Sequence, residues 1–453
     1  MSKVTYADLA DAGDTNLGIY APRFMFGSGL LRDGAFDAFR LTGSEGVELF
    51  FGGEGFTYNE KEQPLTGTAT SCEIRVDGET LATITDFTAS AKQLRGLNTF
   101  EEFFEIIGKF AADGSAGEDV ILGFNGNDTL RGRESSDTLI GAAGNDKMFG
   151  GADDDAMYFG QGRDSLDGGD GQDIAAFAST IFGVGKIVDL ELDLRKSGFQ
   201  SIEGGGSVKF YTVEGIVAGG GDDKLTGDQF GNVLGGGEGS DTLLGGAGDD
   251  TISGGGGADV LQGGEGFDTL IMGSFSGKGV NVSLANPGSQ NTGEGKDRIS
   301  GFENLVGTFG DDKLTGDAQA NRIEGEDGDD TITGGGGLDS LLGGGGADRF
   351  VFNAKSLGVD NKAEILDFEV SLGDLIDVSG IDANTLEDAN QAFSFIGTGA
   401  FTSVAGQLRW SYLGGDPNAD ISIEGDTNGD GAADLFIQLR APVGALAAED
   451  FVL

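Results

Sequence analysis

The chain has 453 residues with 28 Lys plus Arg against 76 Asp plus Glu, a formal charge of −48 that disfavours nucleic acid and anionic membranes and favours cations. There is no histidine and one cysteine, Cys72, which removes the H-E-x-x-H zinc site, the Ser-His-Asp triad, the Cys-His pair and any intramolecular disulfide framework. No G-x-S-x-G elbow, Walker loop or Rossmann fingerprint occurs, and no apolar run is long enough for a membrane-spanning helix.

The N-terminal stretch MSKVTYADLADAGDTNL has neither a basic n-region nor an apolar h-region, so no cleavable secretory signal is expected. Residues 1–113 are expected to form a small α+β domain. Alternation in FRLTGSEGVELFF (Phe39 to Phe51) predicts antiparallel strands, and EIRVDGETLATIT (Glu73 to Thr85) predicts a hairpin around Asp77-Gly78. Thr99 to Ala112 reads as an amphipathic helix, with Thr99 as N-cap and Glu101 and Glu102 in its first turn. Its apolar face, Phe100, Phe103, Phe104, Ile107 and Phe110, is expected to cover the sheet or cap the open end of the segment after Asp113, rather than to dock a partner or lipid.

From Gly114 a nine-residue beat sets in, G-G-x-G-x-D-x-U-x with U a large apolar residue, clearest over Gly236 to Ile271. It fills three runs, residues 114–176, 218–271 and 307–351, holding eighteen units in all. Position six is Asp in sixteen units and Asn in two (Asn232, Asn321), and position eight is apolar in all eighteen. A disordered acidic linker, the plain alternative for so much Gly and Asp, would not keep that phase.

The residue types dictate a geometry. Glycines allow a tight loop with positive φ, and D-x-U-x makes a short strand with its apolar residue facing inward. Two units make one turn of a coil, so strands stack in parallel about 4.8 Å apart and the loops stack in two columns. Asp119, Asp137, Asp155 and Asp173 fall in one column, and Asp128, Asp146 and Asp164 in the other. Carboxylates at that spacing repel unless a cation lies between them. A hard divalent cation wants six to eight oxygens, and calcium suits a flexible carbonyl-rich cage better than magnesium does. One buried side chain per nine ordered residues is too little to fold a unit alone, so these stretches are expected to be disordered without calcium.

These units resemble the RTX, or hemolysin-type calcium-binding repeat, proteins. The resemblance implies a mainly β fold, with three calcium-bound parallel β-roll segments between the N-terminal domain and a β-rich C-terminal domain. It places ligands at the position-six carboxylates Asp119, Asp128, Asp137, Asp146, Asp155, Asp164, Asp173, Asp223, Asp241, Asp250, Asp259, Asp268, Asp312, Asp330, Asp339 and Asp348. Carbonyls around Gly237, Gly239, Gly246, Gly248, Gly255, Gly257, Gly264, Gly266, Gly335, Gly337, Gly344 and Gly346 would complete the cages. About a dozen calcium ions are expected, since end loops lack a partner. The Asn232 and Asn321 units are expected to be weak or edge sites.

Two inserts separate the runs, residues 177–217 and 272–306. Each carries an alternating strand, IVDLELDL from Ile187 and VNVSLA from Val280, and nothing that looks catalytic. From Glu214 and Glu303 onward the chain repeats itself at a constant offset of 89 residues, pairing Asp223 with Asp312, Asn232 with Asn321 and Asp259 with Asp348. A duplicated module is expected, its insert starting or capping a roll. The tail, 352–453, with Asp367-Phe368, Asp377 and Asp450-Phe451, resembles the C-terminal domain of serralysin-type proteases, which implies a signal for type I secretion. Proteolysis does not carry over, because the zinc-binding half is absent. Within the tail, Asp426-x-Asn428-x-Asp430-Gly431 resembles the start of an EF-hand loop, but Ile437 stands where that loop needs Glu, leaving a plain hairpin turn as the alternative.

The function expected is that of a secreted, calcium-folded, non-catalytic surface, matrix or adhesion component. Its partners would be calcium, a type I secretion machinery and cell-surface or matrix polysaccharide. Two rivals remain at this level: a polysaccharide-active enzyme using carboxylates such as Glu48, Glu54 or Glu60, and a pore-forming toxin.

Overall fold

The computed structural model describes residues 113–453 apart from residues 115, 124–125, 178–187, 204–205, 274–276, 359–360, 417 and 441–444; ahead of them it describes the backbone of seven strands between Lys3 and Asp113. The chain divides into two compact units, Met1–Gly220 and Gly221–Leu453. Both are mainly β, and among the described residues no helix is long and apolar enough to cross a membrane.

In the first unit, Met25–Phe26, Asp37–Thr42, Val47–Tyr58, Pro64–Val76 and Glu79–Ser90 form an antiparallel sheet in sequence order. Val76 pairs with Glu79, which leaves Asp77-Gly78 as the two-residue connection of the expected hairpin. Most of the helix expected over Thr99 to Ala112 lies outside the described residues. Its last two residues are a correction: Ala111 and Ala112 belong to the strand Ala111–Asp113, where Ala112 stacks on Leu130. The stack therefore extends ahead of Gly114, and strand pairing with Thr129–Arg133 overrides local helical periodicity there.

The nine-residue beat becomes a coil with two walls of parallel strands. One wall of the first unit runs through Lys3–Thr5, Ala111–Asp113, Thr129–Arg133, Lys147–Ala152, Arg163–Asp170 and Gly206–Tyr211. The other runs through Val120–Leu122, Thr138–Ile140, Ala156–Phe159, Ile174–Phe177 and Gly215–Gly220. Register advances by two units per turn, so Met148 lies between Leu130 and Leu166, and Leu139 between Ile121 and Met157. These six side chains are fully buried, each contributing about 1.5–3 kcal/mol of hydrophobic stabilisation.

In the second unit one wall is continuous across the insert: Val233–Gly239, Thr251–Gly257, Thr269–Ile271, Asn304–Val306, Arg322–Glu324, Ser340–Leu342 and Ala363–Ile365. Opposite it there are two separate sheets. Lys224–Thr226, Thr242–Ala247, Val260–Glu265 and Lys296–Ser300 end against the antiparallel Ser289–Asn291. A new sheet starts at Asn281–Ser283 and continues through Lys313–Thr315, Thr331–Thr333, Arg349–Asn353, Leu375–Gly380 and Phe451–Val452. The insert thus interrupts one wall while the other passes straight through. Strands here also run longer than D-x-U-x. Gly237 and Gly239 pair with Gly255 and Gly257, so the glycine loops stack in register with the strands.

The tail continues the same stack. Ile376 lies on Phe350 and Phe451 on Ile376, while Leu435–Leu439 adds one more parallel strand beyond Ala363–Ile365, followed by Ile421–Asp426 and Gln407–Tyr412 in antiparallel order.

Candidate metal centre

Each position-six Asp is anchored by its neighbour one turn away. The Asp119 N–H donates to Asp137 Oδ1 at 2.7 Å, Asp137 N–H to Asp155 Oδ1 at 2.8 Å and Asp155 N–H to Asp173 Oδ1 at 2.9 Å. The other column repeats this from Asp128 to Asp146 to Asp164. In the second unit the ladders run Asp223–Asp241–Asp259, Asn232–Asp250–Asp268, Asp312–Asp330–Asp348 and Asn321–Asp339. All sixteen expected carboxylates are buried.

The second oxygen is where the chemistry lies. Oδ2 of Asp137, Asp146, Asp155, Asp164, Asp173, Asp250, Asp268, Asp330 and Asp348 is buried without a hydrogen-bond partner. Leaving a charged oxygen in that state is expensive. Burial, opposed by the backbone hydrogen bond, pushes Asp146, Asp155, Asp164 and Asp330 up to about 7. It pushes Asp137, Asp173, Asp250, Asp259, Asp339 and Asp348 up to about 6, with stacked acidic neighbours adding to the rise in most of them.

The loops around these oxygens form cradles. A methyl group on Gly150 would overlap Asp155 Oδ2 and lie 2.6 Å from the Gly168 carbonyl; one on Gly245 would overlap Asp250 Oδ2 and lie 2.6 Å from the Gly263 carbonyl. Where position one is glycine, as at Gly150 and Gly245, the space beside the carboxylate is taken by oxygens and leaves no room for a side chain. The expected loop glycines Gly237, Gly239, Gly246, Gly248, Gly255, Gly257, Gly264, Gly266, Gly335, Gly337, Gly344 and Gly346 all have positive φ. In the first run the same left-handed positions are held by Arg133, Ser135, Ala142 and Asp153, each a strained choice. Among the described residues no three Asp, Glu or Cys side chains gather as a metal cluster, so a cation here takes one or two carboxylates and fills its shell with carbonyls. An all-oxygen set of that kind fits a hard, flexible-shell cation, which is calcium.

Several members of the ladders are not visible in the nine-residue pattern. Asp259 N–H donates to Asp297 Oδ1 at 3.0 Å, Gly257 bridges to Gly295, and Ile299 is buried over Leu261. Residues 292–300, TGEGKDRIS, are thus a further unit inside the second insert, hidden because Thr292 replaces the leading glycine. The Thr292 hydroxyl donates to Asp297 Oδ2. Glu294 of this unit is pushed up to about 7 by burial and by Asp297 and Asp259. Glu214 and Glu303 accept from Asp173 and Asp268 through Oε2 at 3.0 and 2.9 Å, and Asp374 Oδ1 accepts from Asp348 at 3.0 Å. The shared E-x-U ending of the two inserts was the available signal.

Two other places complete their bonding within the protein. At the head of its column, Asp312 accepts from Val280 and Thr308 N–H at 2.6 Å each and from the Thr308 hydroxyl at 3.0 Å. The loop at Asp426 is the connection between two antiparallel strands. Asp426 accepts from the N–H groups of Asn428, Gly429 and Gly431, and Asp434 from Thr427 and Asn428.

A family model, the RTX calcium-binding nonapeptide repeat in four copies, matches residues 112–138, 131–166, 235–270, 291–332 and 315–350. The match at 291–332 covers the hidden unit. A search of curated proteins gives no match. With the stacked loops, the buried carboxylates and the matched stretches in agreement, the chain carries RTX nonapeptide repeats, and these repeats bind calcium.

Proposed function

We propose that the protein is secreted through a type I system and folds when it meets extracellular calcium. It then serves without catalysis as a component of a cell surface, matrix or adhesion layer. About a dozen ions would be held by the position-six carboxylates from Asp119 to Asp348 and by carbonyls of the glycine loops of adjacent turns. Bound calcium supplies the positive charge that buried, stacked carboxylates require. The chain supplies the rest: backbone N–H groups fix each Oδ1, first-position glycines keep the space beside Oδ2 open, and position-eight side chains seal the coil from water.

The observation that carries this reading is the row of buried Oδ2 atoms without a partner, repeated turn after turn. Calcium-poor cytoplasm would leave these charges uncompensated and the coil unfolded, a state suited to passage through a narrow channel. Millimolar calcium outside matches the weak affinity of extracellular-type sites.

The test is where the protein resides in a culture of its producer, before and after a chelator wash. Retention with cells or matrix, and release by chelation, is the expected result. Free protein in the medium regardless of calcium would overturn the surface role.

A further inference from the structure

The whole chain carries a net charge of −48, but charge is unevenly spread over the first coil. On the wall formed by Thr129–Arg133, Lys147–Ala152, Arg163–Asp170 and Gly206–Tyr211, the inward residues Leu130, Met148, Leu166 and Phe210 are buried. The alternate residues face outward and include Arg131, Arg133, Lys147, Arg163 and Lys209, interleaved with Phe149 and Tyr211. Among the described residues in register with them, Asp113 and Asp167 oppose this charge, Asp113 pairing with Arg131 and Arg133 at 3.5 and 3.2 Å. Three cations lie over aromatic rings: Arg131 over Phe149 at 5.2 Å, Arg163 over Phe199 at 3.9 Å and Lys209 over Tyr211 at 4.2 Å. Phe199 and Tyr211 remain 41% and 45% exposed. The opposite wall of the same coil has no such set among its described residues: its outward positions are Val120, Leu122, Thr138, Ile140, Ala156, Tyr158, Ile174, Ala176 and Val217, none of them charged.

We propose that this basic-aromatic wall binds an extended, carboxylated polysaccharide. The proposal deepens the matrix role above and rests on it. Lys147 and Lys209 flank Ser165 in one row, two strands apart, hence about 9.6 Å from each other. In an extended polysaccharide alternate sugars turn the same side outward, so same-side carboxylates recur at about that period. The rings give flat faces on which sugar rings stack. A single polymer strand touches only this wall. An anionic bilayer, with its dense surface charge, would be repelled by the acidic remainder of a chain whose net charge is −48. Duplex DNA, with a charge every 1.7 Å or so, is repelled more strongly by that remainder than a sparsely charged glycan is.

The test uses the full-length, calcium-folded chain and hyaluronate, an alternately carboxylated polysaccharide that calcium does not gel, with dextran and duplex DNA as comparators. Hyaluronate should bind, more weakly as salt rises, and dextran and DNA should not. The variant Lys147→Gln/Arg163→Gln/Lys209→Gln should bind hyaluronate about tenfold more weakly, while its calcium content and circular dichroism stay those of the parent. No hyaluronate binding by the parent, equal binding of dextran or DNA, or unchanged binding by the triple variant would overturn the proposal. So would a dimer that the triple variant abolishes in a protein that ignores hyaluronate, since a second copy would then occupy the wall. Chelator-released, surface-bound protein that fails this test would sink the polysaccharide assignment alone and leave the surface role standing.

Discussion

The loops at Asn232 and Asp250 belong to consecutive turns of the second unit and share one ladder, Asn232 N–H donating to Asp250 Oδ1 at 2.7 Å. Their interiors differ. In the Asn232 loop, Asp228 N–H donates to Asn232 Oδ1 at 2.6 Å and Phe230 N–H to Asp228 Oδ1 at 2.9 Å, and neither Asp228 nor Phe230 has positive φ. In the Asp250 loop, Gly246 and Gly248 sit at φ 122° and 98°, and Asp250 Oδ2 is buried without a partner. The same pair of solutions recurs downstream, where Asn321 accepts from Asp317 at 2.8 Å and Asp317 from Gln319 at 2.8 Å. One kind of loop closes with its own hydrogen bonds; the other folds around a charge that something else must compensate. Asn in position six therefore goes with a loop that closes on its own hydrogen bonds.

The largest effect that bears on this contrast is calcium removal. Sixteen of the eighteen units carry Asp at position six, so chelation should abolish nearly all parallel β structure, read as loss of the strand signal in circular dichroism, with recovery on adding calcium back. A coil that survives in excess chelator would mean the Asp loops need an ion no more than the Asn loops do.

Next in size is the comparison of Asp250→Ala with Asn232→Ala in saturating calcium. The first removes a charge-assisted bond to a buried N–H together with a cation anchor, and should cost about 1.5–3 kcal/mol or more; the second removes a neutral bond, about 0.5–1.5 kcal/mol. Urea melts of the two variants read the difference. Equal losses would erase the distinction between the loops.

Acidity separates the loops by sign. Asp146, Asp155, Asp164 and Asp330 have folded values near 7, above the unfolded value of about 3.9. The metal-free folded state thus binds more protons than the unfolded one. Its stability is greatest below the unfolded value and is lost as pH rises through about 7. In chelator, lowering the pH from 8 to 5 should recover strand signal. In calcium, protons compete for the same carboxylates, so the calcium midpoint should rise over that interval. The Asn loops have no such group at position six and contribute to neither trend. A calcium midpoint that does not move between pH 8 and 5 would take the Asp carboxylates out of the binding step.

How much of this was legible depended on whether periodicity or contact decides the feature. Position eight and position six repeat strictly, so the inward row and the two carboxylate columns could be read from spacing alone. The unit at Asp297 was concealed because it stands alone inside the insert and is led by Thr292, whose hydroxyl donates to Asp297 Oδ2. Ala111 and Ala112 carry helical periodicity but fill a strand rung, since stacking on Leu130 is a long-range contact. The through-running wall across the second insert was only half legible: the E-x-U ending shared by Glu214 and Glu303 hinted at it, and the bond of Glu303 to Asp268 fixes the register. The basic wall combines residues from four strands of the stack, which no single unit displays.

The smallest expected change in stability, and the sharpest test of the two loop types, is their interconversion. The variant Asp228→Gly/Phe230→Gly/Asn232→Asp would turn residues 227–235 into a full repeat, giving both left-handed positions back to glycine and placing a carboxylate in the ladder. Gly227 already provides the first-position cradle, since a methyl there would overlap the Gly245 carbonyl and Asn232 Oδ1. The hydrogen bond lost with the Asp228 side chain, from Phe230 N–H to Asp228 Oδ1, is exposed and worth about 1 kcal/mol. A new ion in saturating calcium should offset most of that. Native mass spectrometry should count one more calcium than in the parent, while the chelated variant should be no more folded than the parent. An unchanged ion count would show that the loop's place in the stack, rather than its residues, sets which turns take an ion.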